Sequence, residues 1–263
     1  MHAAAFRALG LPHTYERVHA AADRLPAVVD ELRRGAFEGL NVTVPHKERV
    51  LALVDALDET ARVAGAANTL VRREDGAIVA HNTDAPALAA ELRRLGDAPV
   101  APAAGRAGLV LGSGGAARAA IVALGVHLKA APVAVRARAF ADAARRDAFA
   151  ASAPCPIEAQ PWAPSPGSEA RTFALVQATS AGMHGAAPGD EVARVVDWAA
   201  LPDDAVAIDV VYSPRETPWL RAARARGLRC DDGLGMLARQ GALALELWLG
   251  VPAPLEAMRA ALE

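Results

Sequence analysis

Apolar positions along the chain recur in two rhythms, one at every third or fourth residue and one at every second, and the two alternate from end to end. Residues 3–9 read as a short helix stopped by Gly10 and Pro12, and residues 13–18 as a strand. Leu25, Val28, Val29 and Leu32 recur at helical spacing and end near Gly35. Polar and apolar residues then alternate through Asn41-Val-Thr-Val, which predicts a strand with Asn41 and Thr43 on one face. Pro45 ends it, because proline cannot donate to a strand ladder and fits the start of a helix. Lys47 falls at that corner, ahead of an apolar helix through Val50, Leu51, Val54 and Leu57. Residues 67–72 and 77–82 predict two short strands turned at Asp75-Gly76. Residues 84–95 predict a helix with Leu88, Leu92 and Leu95 in one stripe.

A stretch rich in proline, alanine and glycine follows, and residues 84–105 read as the crossing into a second domain. There the rhythm becomes that of buried strands followed by helices. Strands are expected at 107–111, 133–135, 173–177 and 205–211. Thr217-Pro218 supplies a helix N-cap and first residue. Residues 235–249 and 254–262 close the chain as helices, with Gly250 as a stop, and residues 151–168 read as a surface connection. The pattern is α/β, in two domains.

Composition narrows the function classes. Lys and Arg number 28 against 30 Asp and Glu, so no strong field favours nucleic acid or an anionic membrane. Although 53% of residues are apolar, no apolar run reaches the roughly 18 residues of a spanning helix. Residues 1–7 carry no secretory apolar region, which predicts a cytoplasmic protein. The two cysteines, Cys155 and Cys230, lie far apart and read as unpaired thiols. The seven histidines form no His-x-x-x-His pair, so no metal site is expected.

Two places carry candidate chemistry. The corner 41–47 presents an amide, a hydroxyl and an ammonium at the end of a strand, where α/β enzymes place ligands. The run Gly112-Ser113-Gly114-Gly115-Ala116 lies between a buried strand and an alanine-rich helix. Gly112 permits a tight turn, Gly114 and Gly115 admit a pyrophosphate, and the helix start offers free N–H groups. The strand at 133–135 runs into Arg136-Ala137-Arg138 with no acid to hold ribose hydroxyls. Arginine grips phosphate, so this end favours a cofactor with a 2′-phosphate. The small-residue loop 178–183 is a surface such a cofactor could lie against.

Seven blocks, in order, resemble the shikimate dehydrogenase family over most of the chain. They are Asn41-Val-Thr-Val-Pro-His-Lys47; Gly65-Ala-Ala-Asn68-Thr; Asn82-Thr83-Asp84; Gly112-Ser-Gly114-Gly115; Ala178-Thr179-Ser180 with Gly182-Met183; Asp209-Val-Val-Tyr212; and Asp232-Gly233-Leu-Gly-Met236-Leu-Ala-Arg-Gln240-Gly241. The resemblance implies NADP-dependent interconversion of 3-dehydroshikimate and shikimate. It implies a substrate domain, residues 1–84 and 237–263, and a Rossmann-like NADP domain, residues 85–236, with C-terminal helices returning to the first. It further implies Lys47 and Asp84 as catalytic pair, and Asn41, Thr43, Asn68, Asp84, Tyr212 and Gln240 around the substrate. On the cofactor side it implies the glycine loop, Arg138, Thr179, Ser180 and Gly233. The expected partner is the small-molecule substrate, in a monomer or homodimer.

Departures from the family pattern bear on these expectations. Met1-His2-Ala3-Ala4-Ala5-Phe6 matches the end of the family's Ser-x-Ser-Pro-x-Met-His-Asn segment, whose first strand and two carboxylate-binding serines precede it. The expectation is that Met1 is an internal methionine of a longer polypeptide. Ala85 and Ala87 stand where the family often has glycine. Ala137 and Ala139 flank Arg138 in place of Asn and Thr, and Asp142 stands where a second arginine is usual, with Arg136 as a candidate substitute. These changes keep open a quinate/shikimate dehydrogenase that also uses NAD. A metabolite-binding protein without turnover is a third reading, which Lys47 and Asp84 argue against.

Overall fold

The computed structural model describes residues 1–96, 105–164 and 166–263, so residues 97–104 of the expected crossing lie outside the described residues. Contacts divide the chain into two units, Met1–Ala87 with Met236–Glu263, and Leu88–Gly235. The first unit begins with α1 (His2–Leu9), which Gly10 ends in the left-handed conformation, and α2 (Leu25–Arg33), whose Leu25, Val28, Val29 and Leu32 are buried. β1 (Gly39–Asn41), β2 (Ala56–Leu57), α3 (Glu59–Ala64), β3 (Thr69–Arg72) and β4 (Ile78–His81) follow. The four strands form one sheet in the order β1-β3-β4-β2, and the expected hairpin is the antiparallel β3–β4 pair. Leu25, Val29, Leu32, Val50, Leu70 and Ile78 make its core. α4 (Asp84–Leu95) starts directly after β4 and Asn82-Thr83.

The second unit holds β5 (Ala107–Leu111), α5 (Gly115–Ile121), β6 (Val133–Arg136), α6 (Ala143–Ala151), β7 (Ile157–Gln160), β8 (Thr172–Gln177), α7 (Asp190–Arg194), β9 (Val206–Asp209), α8 (Pro218–Ala225) and β10 (Arg229–Asp231). Its six strands are parallel, in the order β10-β9-β8-β5-β6-β7. This is the doubly wound, Rossmann-like order. The winding reverses between β5 and β8, the kind of place where open α/β sheets put a ligand, beyond the carboxyl ends of the strands. Leu109, Leu111, Leu175, Trp219 and Leu220 pack in its core. Thr217 caps α8 by accepting from Leu220 N at 3.2 Å, with Pro218 at the first helical position.

Two helices end the chain, α9 (Leu234–Leu249) and α10 (Leu255–Ala260). Ala242 and Leu245 of α9 and Met258 of α10 pack with Ala5 and Phe6 of α1. Trp248 Nε1 donates to Leu70 O at 3.0 Å, and its indole lies where a Cβ on Gly39 would sit. Glycine at 39 is therefore what lets β1 and α9 approach.

The structure departs from expectation at several places, among them the strand expected through Asn41-Val-Thr-Val, of which only Asn41 lies in β1, and β10, which was not expected. Residues 13–18 form no strand: their backbone finds no strand partner among the described residues, and an extended segment without a partner makes no sheet. Tyr15 and Val18 instead line a groove of about 680 Å³ that Leu40 and Asn41 also border. The apolar run from Val50 is not one α-helix. It makes a short 3-10 helix, Arg49–Leu53, and then extends into β2, because Asp55 accepts from Ile78 N at 2.7 Å and ties the chain to β4. Asp58 then caps α3 through Thr60 N. The surface connection 151–168 contains the edge strand β7. Among the described residues, no helix is long and apolar enough to cross a membrane, and no group of His, Cys, Asp and Glu could hold a metal. Cys155 and Cys230 are unpaired.

Candidate active site

In the first unit the polar side chains converge on Asn68 and Asp84. Asn68 lies just before β3 and Asp84 opens α4, so the sheet and the helix start bring together residues far apart in sequence. Lys47 Nζ donates to Asp84 Oδ2 at 2.7 Å, and the two side chains are 17% and 5% exposed. Lys47 is held by its backbone as well, since its carbonyl accepts from Ala67 N at 2.7 Å. The other Asp84 oxygen, Oδ1, accepts from Asn68 Nδ2 at 3.0 Å. The same amide lies 2.9 Å from Thr83 Oγ1 and 3.1 Å from Gln240 Oε1. Asn68 Oδ1 accepts from Thr83 N at 2.7 Å, which orients the amide with its donors toward Asp84 and Gln240. Asn82 Oδ1 accepts from Ala85 N at 3.1 Å, so it serves the free N–H groups at the start of α4.

Asn41 joins this network from β1, donating to Asn68 O at 3.3 Å while its Oδ1 accepts from the Tyr15 hydroxyl at 2.9 Å. Thr43 is exposed, and its hydroxyl makes only a long contact of 3.5 Å to Val44 O. Tyr212 belongs to the second unit and is 45% exposed. Lys47, Asp84, Asn68, Gln240 and Asn41 are thus gathered in one network. Sequence reasoning assigned no role to Thr83 or Asn82, although both stand beside Asp84 in a block it singled out.

In the second unit the glycine run follows β5. Gly112 has φ 122°, and a Cβ there would stand 3.0 Å from Ala178 O, so both backbone conformation and space require glycine. Gly114 is the N-cap of α5, and a Cβ on it would meet no protein atom within 4 Å. The turn is open on that side, which suits the approach of a ligand. Ser113 and Ala116 are half-buried, Ser180 is exposed, and Thr179 is half-buried at the end of β8. A Cβ on Gly233 would overlap Val210 O, so backbone packing requires glycine there.

The two arginines after β6 differ. Arg138 is exposed. Arg136 is 1% exposed and fully engaged: Nη1 pairs with Glu169 Oε1 at 2.5 Å and donates to Val195 O, Nε donates to Gln160, and Nη2 donates to Ser168. Arg136 therefore does not substitute for a phosphate-gripping arginine. Alternation along β6 turns it into the core, where a buried glutamate meets it. Asp142 caps α6 through Ala144 N and Arg145 N, a local role that explains an acid at that position.

At the carboxyl end of the central strands stands Asp209, fully buried, with its pKa pushed up to about 7 by burial. Thr217 Oγ1, Val211 N and Gln177 Nε2 all donate to it. Asp209 opens the block Asp209-Val-Val-Tyr212, whose resemblance implies a role for Tyr212 and none for Asp209.

A doubly wound sheet with a glycine turn at its switch point, joined to a separate α/β unit carrying a buried lysine–aspartate pair, defines the class of dinucleotide-dependent oxidoreductases. Residues 1–70 match the family model described as shikimate dehydrogenase substrate binding domain, and residues 233–263 match that of the shikimate 5′-dehydrogenase C-terminal domain. The chain is 44% identical over 242 residues to a shikimate dehydrogenase (NADP(+)) of Methylobacterium radiotolerans, covering 92% of this chain and 82% of the relative. Among solved structures, shikimate 5-dehydrogenase of Thermus thermophilus, in complex with NADP(H) and shikimate, matches with a TM-score of 0.80 and 34% identity over 99% of this chain and 91% of the other. The ligand-free 5-ketofructose reductase of a Gluconobacter species matches with a TM-score of 0.82 and 33% identity over 99% and 90%. The chain belongs to the shikimate dehydrogenase family.

Proposed function

We propose that this chain interconverts 3-dehydroshikimate and shikimate with NADP, and that Lys47 and Asp84 are its acid–base pair. The observation that carries the assignment is the 2.7 Å Lys47–Asp84 bond, in which a lysine only 17% exposed is aimed by a carboxylate only 5% exposed. Reduction of a ring ketone needs a proton for the developing alkoxide, and an oriented ammonium supplies both that proton and a stabilising charge. Asp84 holds Nζ in place, and Asn68 in turn holds Asp84. In the oxidative direction a neutral Lys47 takes the hydroxyl proton. Asn41, Thr43, Asn68 and Gln240 supply polar groups for the substrate's hydroxyls and carboxylate. The first unit is then the substrate domain and the second the dinucleotide domain.

The open side of Gly114 and the strained Gly112 turn fit a dinucleotide pyrophosphate on Gly112, Ser113, Gly114, Gly115 and Ala116. When bound, NADP carries the hydride. Thr179, Ser180 and Gly233 contribute the facing wall, and the exposed Arg138 takes the 2′-phosphate. A second reading, relaxed use of NAD, is favoured by the engagement of Arg136 in the core, which leaves Arg138 to act between two alanines.

The test is nicotinamide absorbance with shikimate or quinate, using NADP and NAD in turn. The proposal expects NADP-linked oxidation of shikimate as the fastest of the four reactions. Faster NAD-linked oxidation of quinate would favour the second reading, and no oxidation of either substrate would overturn both.

A further inference from the structure

Leu111, Gln177 and Asp209 stand side by side in register across β5, β8 and β9, one residue before the loops of the switch point. Gln177 and Asp209 are both fully buried. Gln177 is the hinge of the loop that follows it. Its Oε1 accepts from Thr179 N at 2.6 Å, and its Nε2 donates to Ala181 O at 3.1 Å. Thr179 Oγ1 closes the loop by accepting from Ala181 N at 3.1 Å. This loop packs on the glycine turn, since Ala178 O and Thr179 Cγ2 are among the atoms nearest a Cβ built on Gly112. The loop therefore keeps its place only while the Gln177 amide points one way.

An amide can be turned over at little steric cost, so something must fix its direction. Asp209 is placed to do so. Its Oδ1 accepts from Gln177 Nε2 at 3.2 Å and from Val211 N at 2.9 Å. Its Oδ2 accepts from Thr217 Oγ1 at 2.6 Å. Thr217 Oγ1 also accepts from Leu220 N at 3.2 Å, which holds the threonine at the start of α8. Gln177 Nε2 and Val211 N both donate to Oδ1, and that oxygen accepts whether or not Oδ2 carries a proton. Turning the Gln177 amide would set oxygen against oxygen in a buried site. Among the described residues no cation pairs with Asp209, and its burial is offset only by these three donors.

We propose that Asp209, acting through Gln177, is a positioning residue for the dinucleotide: its carboxylate sets the Gln177 amide and so fixes the Thr179–Ala181 backbone that faces the glycine turn. This rests on the dinucleotide reading of that turn. Asp209→Asn keeps the shape but can present an NH₂ group to Gln177, which frees the amide to turn and strips Thr179 N of its acceptor. Thr217→Val deletes the bond to Oδ2, and Thr217→Ser keeps it.

The experiment is titration of NADPH fluorescence on the full chain, which needs no shikimate, together with KM and kcat for NADP and thermal unfolding. Asp209→Asn and Thr217→Val are expected to raise the NADPH dissociation constant and the KM for NADP about tenfold, with kcat at saturating NADP within about threefold of the unaltered chain. Thr217→Ser is expected within about twofold on all of them. Melting temperatures that fall while NADPH affinity stays within that margin would assign Asp209 a structural role only and overturn the proposal. If Asp209→Asn does not fold, the Thr217→Val and Thr217→Ser pair decides by the same criterion. An unaltered chain that binds no NADPH overturns the dinucleotide reading and this proposal with it, whereas one that binds NADPH without oxidising shikimate leaves the positioning role to stand or fall on the variants.

Discussion

Replacing Lys47 by methionine separates the proposed chemistry from simple packing. Methionine keeps most of the apolar stem and removes the ammonium. Asp84 then loses its 2.7 Å charge-assisted bond and keeps the 3.0 Å bond from Asn68. A charge-assisted bond to a carboxylate this buried is worth roughly 1.5–3 kcal/mol, so the variant is expected to unfold at lower temperature by a few degrees. The kinetic loss should be larger. A positioned acid contributes roughly 10²–10⁴-fold, or about 3–5 kcal/mol of transition-state stabilisation. Initial rates of shikimate oxidation at saturating NADP should show kcat reduced by that factor, with the KM for shikimate raised by much less. Lys47→Arg restores a cation that does not release its proton, so it should recover substrate binding and stability without recovering kcat. A Lys47→Met enzyme that retains more than a tenth of the native kcat would refute the assignment.

Four further outcomes are expected. Gly112→Ala forces a non-glycine residue to φ 122° with its Cβ 3.0 Å from Ala178 O, and should lower stability by roughly 1–3 kcal/mol in urea titration while weakening NADPH binding; unchanged binding would remove the turn from the cofactor site. Arg138→Ala should raise the KM for NADP and leave that for NAD nearly unchanged. Arg136→Met should instead leave Glu169 buried without its cation and cost about 3–5 kcal/mol in the same urea titration, and an effect on NADP selectivity in place of stability would reverse these roles. The pKa of Asp209 is raised to about 7 in the folded chain, so the folded state binds the proton more tightly than the unfolded one. Stability should then fall as pH rises from about 4 to about 7 and level off above, and unfolding measured at about pH 5 and about pH 8 should show this decrement in the native chain and its loss in Asp209→Asn.

Much of the fold was legible because its signals are local. The β3–β4 turn at Asp75-Gly76 needs only a positive φ at one glycine, and the cap of α8 needs only Thr217 before Pro218. The glycine run after β5 announces itself by the same logic, as does α4 through its leucine stripe. Short strands carried weaker signals. β7 and β10 contribute few apolar residues and exist because a neighbouring strand takes their backbone bonds. Residues 13–18 show the converse, an expected strand with no neighbouring strand to take its backbone bonds.

For the site, the chain by itself determined which chemical groups stand at which corners: an ammonium after Pro45, a carboxylate at the start of α4, glycines after β5. Only the tertiary structure decided which of them meet. It joined Lys47 to Asp84 across 37 residues and Gln240 to Asn68 across 172. It also sent Arg136 into the core while leaving Arg138 in solvent, although only Ala137 stands between them. The physical reason is range. Turns and caps are set by hydrogen bonds within a few residues, whereas the partner and the burial of a charged side chain are set by whatever the sheet brings alongside it.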